Sequence, residues 1–179
     1  MPQIEMQHVT KYFTNEQRRF AAINDVSLSI ERGEFVFLIG SSGAGKTTLL
    51  RLLANQIVAD EGKIWLDDVE LTRMRGWRRP VYRRNIGQVW QDASLIRKKT
   101  VRQNLELVQR ALGVKSKVIP ENTRKALSIV GMRAMEDRYP FELSGGQVKM
   151  VELARAIICN PPILIVDEIT ANLDYDTGW

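Results

Sequence analysis

Apolar and polar residues alternate over residues 3–9 (QIEMQHV), which turns Ile4 and Met6 inward, with Val9 a further candidate, as in a half-buried strand. His8, the only histidine, falls on the polar phase and reads as a surface residue. After a polar loop from Thr14 to Arg19 the alternation returns at Val26, Leu28 and Ile30, and Arg32-Gly33 forms a turn. The pattern then changes. Phe35 to Ile39 is an unbroken apolar run, the form of a fully buried strand, and Leu49, Leu50, Leu52 and Leu53 follow at helical spacing. Asp60-Glu61-Gly62 reads as a turn, Lys63–Leu66 as a short strand, Asp67-Asp68 as a second turn, and Ile86–Trp90 as a strand ending at Gln91. Thr100 suits the N-cap of a helix through Leu112 that stops at Gly113. Pro120 suits N1 of a helix ending at Gly131, and Pro140 breaks the chain. Val148–Cys159 is an apolar helix closed by Asn160-Pro161-Pro162, and Ile163–Val166 is a buried strand that ends in Asp167 and Glu168. Antiparallel strands leading into alternating strands and helices predict an α/β fold.

One stretch carries specific chemistry. Between the Phe35–Ile39 strand and the leucine helix, Gly40, Ser41, Ser42, Gly43, Ala44, Gly45, Lys46 and Thr47 fit G-x-x-x-x-G-K-T, followed by Thr48. Glycines let successive N–H groups turn inward on an anion, and the helix start adds partial positive charge. Lys46 supplies a full charge for the outer phosphates, and Thr47 a hydroxyl for Mg2+. An ordinary glycine turn before a helix is the plain alternative, and the flanking strand and helix weigh against it.

Composition changes the picture little. The 179 residues, 44% apolar and 26% charged, suffice for one domain with a core. No apolar run approaches membrane-spanning length, no secretion signal opens the chain, and the single Cys159 suits a small buried hydrophobe in a reducing compartment. These features predict a cytoplasmic location. The net charge of +5 is uneven: from Arg73 to Arg102 there are ten Arg or Lys residues against one acid, Asp92. Such a stretch can face nucleic acid, anionic lipid or an acidic partner, or be a solvated face.

Asp167 and Glu168 end an apolar strand, where parallel sheets gather ligands. Beside a phosphate loop, Asp167 can hold Mg2+ through water or Thr47, and Glu168 can polarise the water that attacks a γ-phosphate. Taken alone, two acids in this place serve equally as helix caps. Leu143-Ser144-Gly145-Gly146-Gln147 opens a helix with a second set of backbone N–H groups suited to an anion, or with a plain N-cap serine and a flexible glycine pair.

Gly40 to Thr47, Gln91, LSGGQ at 143–147, ILIVDE at 163–168 and ANLD at 171–174 occur together in the order and rough spacing of the ATP-binding cassette (ABC) ATPases, and the chain resembles that family over nearly its whole length. The resemblance implies a P-loop NTPase core of the RecA type, an N-terminal antiparallel β subdomain and a helical signature subdomain at about 92–160, all within a single domain over 1–179. It implies ATP and Mg2+ as ligands. It also implies a head-to-tail homodimer in which Ser144 and Gly146, with Gly145 and Gln147 beside them, meet the partner's nucleotide, and Asp174 lies in the loop crossing the interface. Gln91 would line the magnesium site and sense a transmembrane partner, and Glu168, Gln91 and Lys46 form the catalytic set. An aromatic residue stacks on adenine in this family; spacing favours Phe13, with Tyr12 second.

Within the family, GEFVFLIGSSGAGKTTLLRLL, RRPVYRRNIGQVWQD and NLDYDTGW resemble the branch that serves bacterial cell division. That resemblance implies an FtsX-like integral membrane partner, attachment at the cytoplasmic face of the plasma membrane, and activation of cell-wall hydrolases. Lipoprotein- and macrolide-exporting ATPases are the nearest alternative. Ile169 replaces the usual proline after the glutamate, and Val148-Lys149-Met150 replaces the usual residues after the signature. The family's switch histidine and the strand bearing it fall beyond Trp179, and His8 cannot substitute for that histidine. The expectation is therefore a C-terminally incomplete cassette with a gap in its sheet, poorly soluble and with little or no ATPase activity. Two other classes compete. Repair or chromosome ATPases carry long insertions, whereas Leu143 lies 96 positions after Thr47 and no cysteine cluster is present, so no nucleic-acid partner is expected. A non-hydrolysing binding module is opposed by the intact Lys46, Asp167 and Glu168.

Overall fold

Ile4 and Met6 are buried, as the alternation predicts, in a strand that lies inside a sheet rather than at its edge, and Val9, out of phase with them, joins the buried face through a register irregularity after Met6. The computed structural model describes residues 3–15, 18–92 and 94–167, and its contacts divide the chain into two compact units, 1–83 and 84–179.

In the first unit, β1 (Ile4–Thr14), β2 (Arg19–Ile30), β3 (Glu61–Leu66) and β4 (Val69–Glu70) form an antiparallel sheet in the order β2-β1-β3-β4. Ile4 pairs with Ile30 on one side and Leu66 on the other, and Met6 with Leu28 and Ile64. Helix α1 (Lys46–Leu53) buries Leu49, Leu52 and Leu53. The turn expected at Asp60-Glu61-Gly62 is instead the start of β3, where Glu61 pairs with Thr10 across an irregularity in β1. Gly62 has φ 81°, and a Cβ there would meet the His8 carbonyl at 2.3 Å, so the glycine marks a close backbone approach rather than a reversal. His8 is a surface residue, as expected, with its ring 2.8 Å from Asp25.

The largest difference from expectation is at Phe35–Ile39. These residues form no strand, and Phe35 and Ile39 are 84% and 90% exposed. A strand needs a neighbour whose backbone groups complete its hydrogen bonds, and among the described residues none pairs with this run. Its phenylalanines find each other instead, with the Phe35 and Phe37 rings edge to face at 5.0 Å.

In the second unit, β5 (Ile86–Val89) and β6 (Ile163–Val166) pair in parallel, Ile86 opposite Ile163 and Val89 opposite Val166. Ile163 and Ile165 are buried, whereas Leu164 and Val166 are exposed, so β6 covers one face only and is not the fully buried strand expected. Helices α3 (Val101–Ala111), α4 (Ile119–Ile129) and α5 (Gly145–Ile157) enclose a core of Val101, Leu105, Leu127, Met132, Val151 and Ala154. Thr100 caps α3 in a reciprocal capping box with Gln103, and Gly113 and Gly131 take φ of 77° and 70° after α3 and α4. Pro120 is the second residue of α4 rather than the first. Helix α5 begins earlier than the apolar pattern suggested, because Ser144 caps it, and it ends at Ile157 rather than Cys159. Cys159 is half-buried, not fully buried, and that burial raises its thiol pKa. Helix α2 (Arg79–Arg83) closes the first unit. Among the described residues no helix is long and apolar enough to cross a membrane.

Candidate functional site

The glycine loop of the first unit is bent around its own lysine. Gly43 and Gly45 take φ of 79° and 89°, a conformation that costs an L side chain energy. Gly45 is the N-cap of α1, and its carbonyl accepts the Leu49 N–H at 2.9 Å. Lys46 Nζ donates to the carbonyls of Gly40 and Ser41, both at 2.8 Å. The ammonium group therefore lies against the loop backbone, and Ser41, Ser42, Gly43 and Ala44 are open to solvent around it. Thr47 and Thr48 occupy the first turn of α1, where N–H groups lack helical acceptors. Polyanions fit this arrangement: cation, dipole and unpaired amides converge, and the carbonyls that hold Lys46 are weaker acceptors than a phosphate oxygen.

The two aromatic candidates of the same unit differ in what covers them. The Arg19 guanidinium sits 3.8 Å from the Tyr12 ring centroid, so one face of that ring is occupied. Phe13 is exposed and pairs across the strands with Phe20, ring centroids 6.4 Å apart, while Lys11 Nζ lies 5.7 Å from the Phe13 centroid. Of the two rings, Phe13 is the one without a guanidinium packed on its face.

In the second unit, Gln91 follows β5 and Asp167 follows β6. The parallel register brings both to the carboxyl edge of the strand pair, and the Asp167 N–H continues the ladder to the Val89 carbonyl at 2.9 Å. Gln91 is exposed, whereas Asp167 is 5% exposed. Gln91 and Asp167 offer this edge oxygen donors only, the hard kind that suits Mg2+ completed by water and phosphate rather than a soft metal. Among the described residues no group of three His, Cys, Asp or Glu side chains is placed to hold a metal unaided. Glu168 and Asp174 lie outside the described residues.

Ser144 begins α5. Its hydroxyl accepts the Gln147 N–H at 3.3 Å, and its own N–H donates to Gln147 Oε1 at 2.9 Å. Gln147 thus serves the cap, and the side-chain-free Gly145 and Gly146 present the first amides of the helix.

Sequence reasoning missed a buried charged cluster on α5. Lys149 and Glu152 have side chains 5% and 0% exposed and are paired at 3.1 Å, and Arg155 is within 3.9 Å of Glu152. Burial lowers the Arg155 pKa, and Glu152 opposes that shift. The cluster grips the loop that contains Gln91, through Trp90, Gln91 and Ser94. Lys149, Glu152 and Arg155 at steps of three in a mostly apolar helix were the available signal. Asn104, also missed, is buried and holds the neighbouring turn: its Oδ1 accepts the Ile96 N–H at 2.8 Å, and its amide donates to the Lys99 and Thr100 carbonyls at 3.1 and 3.0 Å.

Comparison with known proteins agrees with these motifs. The ABC transporter family matches residues 23–171. The cell-division ATP-binding protein FtsE of Streptococcus pneumoniae is 37% identical over 176 residues, covering 98% of this chain and 75% of the relative. FtsE of Bacillus subtilis is 36% identical, with 98% of this chain and 76% of the relative covered. The methionine import ATP-binding protein MetN 4 of Oceanobacillus iheyensis is 39% identical over 174 residues, 97% of this chain but 50% of that protein. Among solved structures, the cassette MJ0796 in a dimeric post-hydrolysis state with ADP and Pi is similar at a TM-score of 0.89 and 29% identity, covering 97% of this chain and 77% of that one. A second dimeric structure of MJ0796, described as a bacterial ABC transporter cassette, gives a TM-score of 0.90 at 30% identity and covers 98% of this chain and 78% of that one. With its glycine loop, its LSGGQ helix start and these relatives, the chain belongs to the ABC transporter family of ATP-binding cassettes.

Proposed function

We propose that this chain binds and hydrolyses ATP as the nucleotide-binding subunit of an FtsE–FtsX-type complex. In that complex ATP turnover drives an FtsX-like membrane partner in bacterial cell division and cell-wall hydrolase activation. The observation that carries the nucleotide half of this reading is Lys46 folded onto the Gly40 and Ser41 carbonyls, a cation held where phosphates replace the carbonyls. The cell-division half is supported by FtsE relatives at 36–37% identity, matched over about three quarters of their length.

In this reading Lys46 and the amides of Gly40–Thr48 hold the phosphates, and Phe13 stacks on adenine. Thr47, Gln91 and Asp167 would hold Mg2+, which when bound neutralises phosphate charge. Glu168 accepts a proton from the attacking water, the new P–O bond forms at the γ-phosphorus, and the bond to the bridging oxygen breaks, leaving ADP and phosphate. Ser144, Gly145 and Gly146 present amides to the nucleotide of a second copy in a head-to-tail homodimer, where Asp174 lies at the interface. The chain works at the cytoplasmic face of the plasma membrane.

A methionine-import role is favoured by one observation, the 39% identity to MetN 4. Lipoprotein or macrolide export is the remaining branch. The deciding experiment measures ATP turnover with an FtsX-like protein, a methionine permease and an exporter subunit each supplied in detergent or nanodiscs. Stimulation by the FtsX-like protein alone is expected, and stimulation by either other partner instead overturns the cell-division reading. Two variants test the chemistry. Lys46→Ala should abolish nucleotide binding, and Glu168→Gln should keep binding while stopping turnover. Normal hydrolysis by Glu168→Gln would mean that the base has been misassigned.

A further inference from the structure

The loop that carries Gln91 is held by charges that the protein keeps almost wholly out of water. Lys149, Glu152 and Arg155 project from one face of α5 at steps of three residues. Lys149 Nζ donates to the Trp90 carbonyl at 2.5 Å, the Gln91 carbonyl at 2.6 Å and Glu152 Oε2 at 3.1 Å, which occupies all three ammonium protons. Glu152 Oε1 accepts the Ser94 hydroxyl at 2.8 Å and the Ser94 N–H. Arg155 closes the far side by donating to the Ser94 carbonyl at 2.9 Å and to its hydroxyl. Backbone groups at 90, 91 and 94 are therefore fixed from α5, while Gln91 itself is exposed.

Stability does not require this arrangement. Burying two cations and an anion costs desolvation that apolar side chains of equal volume avoid, so a buried charge network is weak support for the fold. What it supplies is position. Two consecutive carbonyls turned onto one ammonium fix the peptide planes on both sides of the Gln91 Cα. Lys149 lies little more than one turn from Ser144 and Gly145, so the Gln91 loop and the serine-glycine helix start are carried by one helix.

We propose that Lys149, with Glu152, is a positioning residue that fixes the backbone of Gln91 for its role toward Mg2+, and that Arg155 completes its hold on the loop. This rests on the reading of Gln91 given under the proposed function. Lys149 acts through the backbone of Gln91 and touches neither metal nor nucleotide.

The test compares the unaltered chain with Lys149→Met/Glu152→Gln, which removes both charges together and leaves neither buried alone, and with Lys149→Arg. Binding of a fluorescent ATP analogue is titrated with and without Mg2+, alongside a thermal melt and amide hydrogen exchange at residues 90–94. The double variant should keep its metal-free affinity within about twofold. It should need about tenfold more Mg2+ for half-saturation, the usual consequence of losing an outer-shell support, and exchange faster at 90–94. Lys149→Arg should recover most of the magnesium response. An unchanged Mg2+ requirement in a folded double variant overturns the proposal. So does a loss of metal-free affinity in parallel with the magnesium response, which would mark a general structural role. If the unaltered chain binds no nucleotide, the parent reading fails first and visibly, and the positioning role falls with it.

Discussion

Gly45→Ala is the sharpest test of how the phosphate loop is built. Gly45 sits at φ 89°, where an L side chain costs about 1–2 kcal/mol. A Cβ there would stand 2.3 Å from the Ala22 carbonyl oxygen and 2.9 Å from Ile23 Cδ1. Ala22 lies within β2 and Ile23 is buried, so neither can swing aside as an exposed side chain would. Relieving such an overlap typically costs about 1–3 kcal/mol more. The sum, about 2–5 kcal/mol, corresponds to a melting temperature lower by about 5–15 °C for a chain of this size. Gly43→Ala is the internal control: φ is 79°, but nothing lies within 4 Å of its Cβ, so only the backbone strain applies. That predicts a loss of about 1–2 kcal/mol, or about 3–6 °C. The assay is a thermal melt of both variants beside nucleotide titration. Gly45→Ala should melt lower and bind nucleotide more weakly, because the overlap pushes the loop off β2. If Gly45→Ala melts with Gly43→Ala and keeps its nucleotide affinity, the loop does not depend on that close approach.

Three further outcomes can be measured separately. Phe13→Ala should weaken ATP binding about tenfold through loss of base stacking while sparing inorganic triphosphate. Tyr12→Ala should leave the ATP preference intact, because Arg19 already covers its ring; equal effects on both ligands would remove Phe13 from the base site. Asp60 is held below its ordinary pKa of 3.8 first by the Tyr12 N–H and then by Lys11, against opposing burial. A depressed carboxylate stabilises the fold above its unfolded pKa and loses that contribution as pH falls through the folded one. The stability difference between the unaltered chain and Asp60→Asn should therefore be constant near neutrality and shrink below about pH 4; a difference that holds at pH 3 would contradict the assignment. Arg78, Arg79, Arg83, Arg84, Arg97 and Lys98 flank Gln91 in sequence, and reversing two of them should reduce recruitment to anionic membranes by about 1 kcal/mol each, weakening with salt. Unaltered recruitment, with ATP binding intact, would leave these residues a solvated face.

What the sequence determined by itself is what depends on local backbone chemistry. The glycine loop, the Thr100 and Ser144 caps and the glycine stops at 113 and 131 were legible because each meets a need within a few residues of itself. The burial of Ile4 and Met6 was legible for the same reason, since a period of two needs no knowledge of the partner strand, whereas Val9, one step out of phase, is turned inward only by the register irregularity between Met6 and Val9. Tertiary structure decided whatever depended on a distant neighbour. Phe35–Ile39 has the composition of a core strand but finds no pairing partner among the described residues, and hydropathy alone cannot supply one. Gly62 read as a turn residue until the His8 carbonyl, 54 positions earlier in the chain, was placed against it. Lys149 and Glu152 carried the mark of a polar helix face, and only the packing of α5 over the Gln91 loop placed those charges inside. A side chain's polarity is written in the sequence, but whether water reaches it is settled by residues far along the chain.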